Sequence, residues 1–123
     1  MKPGATGFKR IVDATGYTVK GLRAAWCSES AFGQETMLAV VLAPAAFWLG
    51  RSLSETALLL LTLAFVLTTE LLNSAIEAVV DLASPEIHDL AGRAKDMGSA
   101  AVFLSLGSVM LVWSLIAVDR FLN

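Results

Sequence analysis

The chain has 123 residues, of which 56% are hydrophobic, and a formal net charge of −2. A water-soluble domain of this length rarely carries so much apolar surface, so the composition indicates a membrane protein with a single domain, residues 1–123. The net charge says little by itself, and the clustering of basic residues near the N-terminus gives no support to an acidic tail or to nucleic-acid binding. The single cysteine, Cys27, excludes an intrachain disulfide bond.

Residues 6–27 are predicted to form an amphipathic helix at the membrane surface. Apolar side chains recur at helical spacing from Phe8 to Trp26, although Gly16 and Gly21 lower the helix propensity between them. Most basic residues of this segment lie off the apolar stripe: Lys9, Arg10, Lys20 and Arg23. The alternative is a core-packing helix of a soluble protein. The strongly apolar chain that follows favours the membrane interface.

Three membrane-spanning helices are predicted after this arm. The first covers 31–50 and contains Pro44, which is expected to kink it. The second covers 56–81. A polar loop over 82–96 precedes the third span, 97–118, which is free of charged residues and long enough to cross a hydrocarbon core of about 30 Å. The expected fold is therefore an all-α membrane protein.

The distribution of basic residues predicts the orientation of these spans. With three spans, the N-terminal arm and the 82–96 loop lie on the same side of the membrane. Seven basic residues lie on that side, against two, Arg51 and Arg120, on the other. Because cytoplasmic segments carry an excess of lysine and arginine, we expect the N-terminus to be cytoplasmic.

The second span carries polar residues on one face. On a helix of about 100° per residue, Glu70, Asn73 and Glu77 lie within roughly 60° of one another. Ionisable residues at membrane depth are costly and usually face a protein interior or a water-filled site. Carboxylates at this spacing suit Mg²⁺ ligation and general-base catalysis. In the alternative interpretation they are structural partners of Asn73, Arg93 or Lys95 in a neighbouring chain.

These polar residues can meet the requirements of phosphoryl transfer, which are a metal, a cation on the phosphates and a base for the attacking hydroxyl. Glu29 and Glu77 are the candidate metal ligands, Lys95 the candidate phosphate contact and Glu70 the candidate base. Inward-facing carboxylates need more than three thin helices around them, which predicts a homo-oligomer with shared sites. Two other classes stay open: a small ion or proton channel, and a non-catalytic membrane assembly protein.

Two motifs are specific, ELLNSAIEAVVD at 70–81 and GRAKDMGSAAV at 92–102, and the arm adds TGFKRI at 6–11 and KGLRAAW at 20–26. Together they resemble the prokaryotic diacylglycerol kinase family over essentially the whole chain. The resemblance implies a homotrimer in the bacterial inner membrane, with a surface helix and three spans per chain. It implies Mg²⁺-dependent transfer of the γ-phosphate of ATP to diacylglycerol, giving phosphatidic acid. A sister branch phosphorylates undecaprenol, which is the alternative acceptor.

The resemblance also implies individual roles. Glu70 is the general base and contacts the lipid, Glu29 and Glu77 hold the metal and contact ATP, and Asn73 supports this cluster. The rest of the nucleotide site is implied to be Tyr17, Glu86, Ile87, His88, Lys95 and Asp96. The rest of the lipid path is implied to be Arg10, Ala14–Val19, Arg23–Trp26, Ala31–Glu35, Trp48–Arg51, Ser99 and Trp113–Val118. Gly33 and Thr56 stand where better-known members of the family carry arginine.

Overall fold

The computed structural model describes residues 6–84, 86 and 88–123. Four α-helices follow in chain order: α1 Gly7–Ser28, α2 Ser30–Leu49, α3 Leu53–Ala83 and α4 Asp89–Leu122. By length and composition, α2, α3 and α4 are each able to cross a membrane. The described residues contain no strand, so the predicted all-α membrane class is confirmed. We call the end where α3 passes into α4 the loop end, and the end where α2 passes into α3 the turn end.

Helix α1 is continuous through Gly16 and Gly21. A glycine costs about 1 kcal/mol relative to alanine in a helix, which is too little to end one this long. Only Ala25 of α1 is buried, and the apolar side chains remain outside, with Phe8 80% and Trp26 50% exposed. The apolar stripe of α1 therefore has no partner within the described chain and is free to face a membrane surface.

The chain turns from α1 into α2 at a single residue, Glu29. Its backbone is extended, with φ −118° and ψ 102°. Its N–H donates to the carbonyl of Ala25 at 2.9 Å, and its own carbonyl accepts from the N–H of Gly33 at 3.3 Å. Both helix ends are therefore hydrogen-bonded at this corner, which fixes the backbone from which the Glu29 side chain projects.

The largest helix contact lies between α3 and α4, and α2 packs across it. The buried core cluster combines residues of all three helices: Ala46, Leu49, Leu59 and Ile116. The indole N–H of Trp113 donates to the hydroxyl of Thr62 at 3.0 Å. That hydroxyl donates onward to the carbonyl of Leu59 at 2.7 Å. Since lipid offers no hydrogen-bond partner, this pairing satisfies both polar groups and stabilises the register of α4 on α3.

A cluster of side chains at the turn end joins α2 to the end of α4. The guanidinium of Arg51 donates to the carboxylate of Asp119. The guanidinium of Arg120 donates to the carbonyl of Leu49 at 3.3 Å and lies 5.0 Å from the ring centroid of Trp48. Two residues that the sequence assigns to the lipid path, Trp48 and Arg51, therefore take part in this cluster.

The connection between α3 and α4 is shorter than predicted. The sequence predicts a loop over 82–96, but α3 continues to Ala83 and α4 begins at Asp89. The imidazole Nδ1 of His88 accepts from the N–H of Leu90 at 3.1 Å and caps α4. Because a cap and an acidic first turn favour a helix start, the polar residues after His88 form the first turns of α4 rather than a loop.

Candidate active site

Four polar residues of α3, Glu70, Asn73, Glu77 and Asp81, lie three or four residues apart, and we call them the polar stripe. Glu70 is only 8% exposed. Asn73 and Glu77 are half-buried and Asp81 is exposed. The stripe therefore runs from a buried carboxylate to one that faces water. Asp81 was missed as a site residue in the sequence analysis, although its spacing from Glu77 continues the same pattern.

The members of the polar stripe lie at different positions along the axis of α3. At about 1.5 Å per residue, Glu70 lies about 26 Å along α3 from Leu53, whereas Glu77 lies about 36 Å from it. The hydrocarbon core of a bilayer is about 30 Å thick. If the core begins where α3 begins, Glu70 lies just inside its far boundary and Glu77 lies just beyond it.

Lys95 of α4 faces the water-facing end of the stripe. Its Nζ lies 2.7 Å from Oδ1 of Asp81. Lys95 precedes the charge-free run 97–118, and the hydrogen bond with Asp81, together with its charge, raises the pKa of the Lys95 ammonium. The carboxylate of Glu77 acts in the same direction. The loop end therefore holds a protonated lysine beside two carboxylates.

A cavity of about 250 Å³ opens beside Lys95. Its polar lining comes from the end of α3, the connection and the start of α4: Asp81, Ser84, Glu86, His88 and Lys95. The structure therefore brings together three residues of the predicted nucleotide site, Glu86, His88 and Lys95. Asp96 follows Lys95 on α4 and is exposed. Tyr17 lies on α1, outside this lining, and Ile87 lies outside the described residues.

A second, larger groove of about 540 Å³ separates α1 from α3. Glu29 lines it together with Ser74 and Ala78, whereas Glu77 interacts with Lys95. Within one chain, the structure therefore does not show the two predicted metal ligands lining one cavity. No group of three or more His, Cys, Asp or Glu side chains suited to a metal occurs in the part of the chain that is described.

Glu35 of α2 lies beside Glu70, close enough for the two carboxyl groups to interact. Its Oε2 is buried without a hydrogen-bond partner among the described residues. The sequence assigns Glu35 to the lipid path, and the structure brings it to the candidate base. A pair of carboxyl groups thus lies at the buried end of the polar stripe.

The other predicted lipid-path residues fall into two groups. The first belongs to α1 and to the loop-end parts of α2 and α4: Arg10, Ala14, Val19, Arg23, Trp26, Ala31 and Ser99. The second lies towards the turn end: Trp48, Arg51, Trp113 and Val118. Arg51 precedes α3, about 26 Å or more from Glu70 along the helix axis. The structure of one chain therefore does not bring the second group to Glu70.

The family model described as prokaryotic diacylglycerol kinase matches residues 16–117. The chain belongs to this family. A protein named diacylglycerol kinase from Escherichia coli (strain K12) is 45% identical over 121 residues, 98% of this chain and 99% of the relative. A diacylglycerol kinase from Pseudomonas aeruginosa is 50% identical over 113 residues, 92% of each chain. The resemblance in the sequence is thus confirmed, and the protein is a membrane lipid kinase that carries out phosphoryl transfer.

Proposed function

We propose that the protein transfers the γ-phosphate of ATP to the free hydroxyl of diacylglycerol, giving phosphatidic acid and ADP, at the cytoplasmic face of the bacterial inner membrane. The observation that supports the proposal most directly is that the polar stripe changes from buried to exposed along α3. Its buried carboxylate, Glu70, is shielded from water as a base for a lipid hydroxyl would be, and Asp81 at its exposed end pairs with Lys95 of α4, where a water-soluble nucleotide can bind. Helix α3 thus contributes carboxylates to the proposed sites of both substrates.

Glu70 is the general base in this proposal. Its carboxylate accepts the proton of the lipid hydroxyl as the hydroxyl oxygen bonds to the γ-phosphorus and the bond to ADP breaks. Burial of Glu70, at 8% exposed, keeps bulk water away from the attacking position. That exclusion favours transfer to the lipid over hydrolysis of ATP.

The charged end of the stripe binds the nucleotide. Lys95 donates to the phosphate oxygens, and Glu86, His88 and Asp96 extend the site around the cavity at the loop end, with Tyr17 and Ile87 completing it. Glu29 and Glu77 would hold a Mg²⁺ ion, which when bound neutralises charge on the phosphates. These oxygen donors fit the ion because Mg²⁺ takes only one or two protein carboxylates alongside phosphate oxygens.

The active unit in this proposal is a homotrimer with sites shared between chains. The support is that Glu29 lines the groove between α1 and α3, whereas Glu77 is absent from that lining and interacts with Lys95, so we infer that a second chain completes the metal pair. Helix α1 lies on the cytoplasmic leaflet, where its basic residues meet anionic headgroups.

Incubation of the purified protein with γ-labelled ATP, Mg²⁺ and a panel of lipid alcohols tests the proposal. We expect label in phosphatidic acid when diacylglycerol is supplied. Faster labelling of undecaprenol would support the proposed phosphoryl transfer but show that undecaprenol is the preferred acceptor. Ion flux through protein-containing vesicles, with no label in any lipid, would overturn the proposal in favour of a channel.

Replacing Asp81 by asparagine should tighten nucleotide binding. The substitution removes a negative charge near the phosphates and releases Lys95 from its 2.7 Å ion pair. A unit charge a few ångströms away in water-like surroundings corresponds to about a threefold change in affinity, which calorimetry with a non-hydrolysable nucleotide can measure.

The matched control is Asp89→Asn, because Asp89 is an exposed acid in the first turn of α4 that does not line the cavity. It changes the net charge by the same amount and should leave the affinity nearly unchanged. Weaker nucleotide binding by Asp81→Asn would mean that the ion pair holds Lys95 ready for the phosphates, contrary to this prediction.

A further inference from the structure

Helices α3 and α4 approach each other closely where Gly98 faces Asn73. Gly98 is buried. A Cβ atom built on it would lie 3.1 Å from Cγ of Asn73 and well inside contact distance of Oδ1. No side chain therefore fits at position 98 while the Asn73 amide keeps its position.

At the same contact, a polar atom of the Asn73 side chain lacks a hydrogen bond. Oδ1 of Asn73 is buried and has no hydrogen-bond partner among the described residues. One Hα of glycine occupies the direction that a Cβ would take, so it points at this oxygen. Cα–H···O contacts of this kind recur between packed helices and are weakly stabilising. The glycine therefore provides both the space for the amide oxygen and a polarised hydrogen that faces it.

We propose that Gly98 is a positioning residue, which holds the oxygen of the Asn73 amide against α4 so that the N–H opposite that oxygen is available to the polar stripe. Glu70 precedes Asn73 by three residues and Glu77 follows it by four, so both carboxylates share its helix face. An amide whose oxygen is held against α4 has one N–H directed away from α4, opposite to its C=O bond, and we infer that this N–H serves the carboxylates. The inference rests on the proposed function, because it gives the amide a role in organising the catalytic carboxylates.

Gly98 differs from Gly107, the other glycine deep in α4, in what a side chain at its position would contact. At Gly107, a Cβ would meet nothing within 4 Å. General packing of small residues therefore does not explain Gly98, since Gly107 belongs to the same helix without such a contact. The pair offers a matched comparison: both substitutions to alanine add one methyl group and raise helix propensity equally.

The first test compares the kinetics of Gly98→Ala and Gly107→Ala in the full-length protein in detergent. We expect Gly98→Ala to lower kcat by about tenfold or more, as a small misplacement near the reacting groups does. Its KM for ATP should change less than its kcat, because the lining of the proposed nucleotide cavity does not include Asn73. Gly107→Ala should leave both parameters unchanged. Full kcat for Gly98→Ala would overturn the inference.

The second test is a double-mutant cycle on stability, which needs no kinase activity. Gly98→Ala should lower the midpoint of thermal unfolding, whereas the same change in an Asn73→Ala background should not, because the amide that it displaces is absent. If Gly98→Ala does not fold alone, the double variant should still fold. An equal loss in both backgrounds would overturn the inference. Absence of lipid phosphorylation by the unmodified protein would instead refute the proposed function and leave the cycle interpretable.

Discussion

Glu70→Gln should cut the rate of lipid phosphorylation by at least about a hundredfold, the range that loss of a general base produces. Glutamine has nearly the shape of glutamate but cannot accept the hydroxyl proton. The side chain is only 8% exposed, and a neutral amide is less costly to bury than a carboxylate, so the fold should persist. Because the nucleotide cavity lies about 10 Å or more further along α3, nucleotide affinity should stay nearly unchanged.

The measurement is turnover on diacylglycerol in detergent micelles, with nucleotide binding followed separately. Glu55→Gln is the matched control, since Glu55 lies in the first turn of the same helix at the opposite end. Its carboxylate accepts from the backbone N–H of Arg51 at 2.9 Å, and glutamine retains that acceptor. A Glu70→Gln protein that keeps most of its turnover would show that another group takes the proton.

Two inactive variants should restore each other when their chains are mixed in one oligomer. Glu70→Gln lacks the base and Glu29→Gln lacks the candidate metal ligand at the corner between α1 and α2. If one site takes Glu29 from one chain and Glu70 from its neighbour, random mixing in equal amounts leaves about a quarter of the sites complete. Activity should therefore rise from near zero to about a quarter of that of the unmodified protein.

The control mixture combines Glu70→Gln with Glu77→Gln. Both residues belong to the polar stripe of α3, so we expect them to serve one site from the same chain, and this mixture should stay inactive. Subunit exchange is verified with differently tagged chains. Recovery in neither mixture, with exchange confirmed, would mean that each chain builds its own site.

Much of the fold is readable from composition and periodicity. Apolar runs of membrane length predict the three spans, and the helical spacing of apolar residues predicts α1. The start of α4 is harder to predict from the sequence. The first turns of this helix hold charged residues, including Arg93 and Lys95, whose hydropathy resembles that of a loop. Their helical state depends on the His88 cap, a local hydrogen bond that a hydropathy pattern does not contain.

Some features of the candidate site can likewise be predicted from the sequence, and others cannot. The periodicity of a single helix predicts that Glu70, Asn73 and Glu77 share a face, and the same periodicity would have added Asp81. The contact between Gly98 and Asn73 depends on how α4 is registered against α3, which no spacing within either helix encodes. The pairing of Arg51 with Asp119 joins residues 68 positions apart, so its place at the turn end could not be predicted from the sequence.

In the proposed mechanism, the separation of Glu70 and Glu77 along α3 is expected to make activity depend on the thickness of the host bilayer. A thinner bilayer would leave Glu70 in the headgroup region, where water competes with the lipid hydroxyl. A thicker one would draw Glu77 towards hydrocarbon, where a charged carboxylate is costly. Each ångström of hydrophobic mismatch costs a fraction of a kcal/mol, and tilting of the helices can absorb only part of it. We therefore expect α3 to match the proposed catalysis to bilayers of a particular thickness.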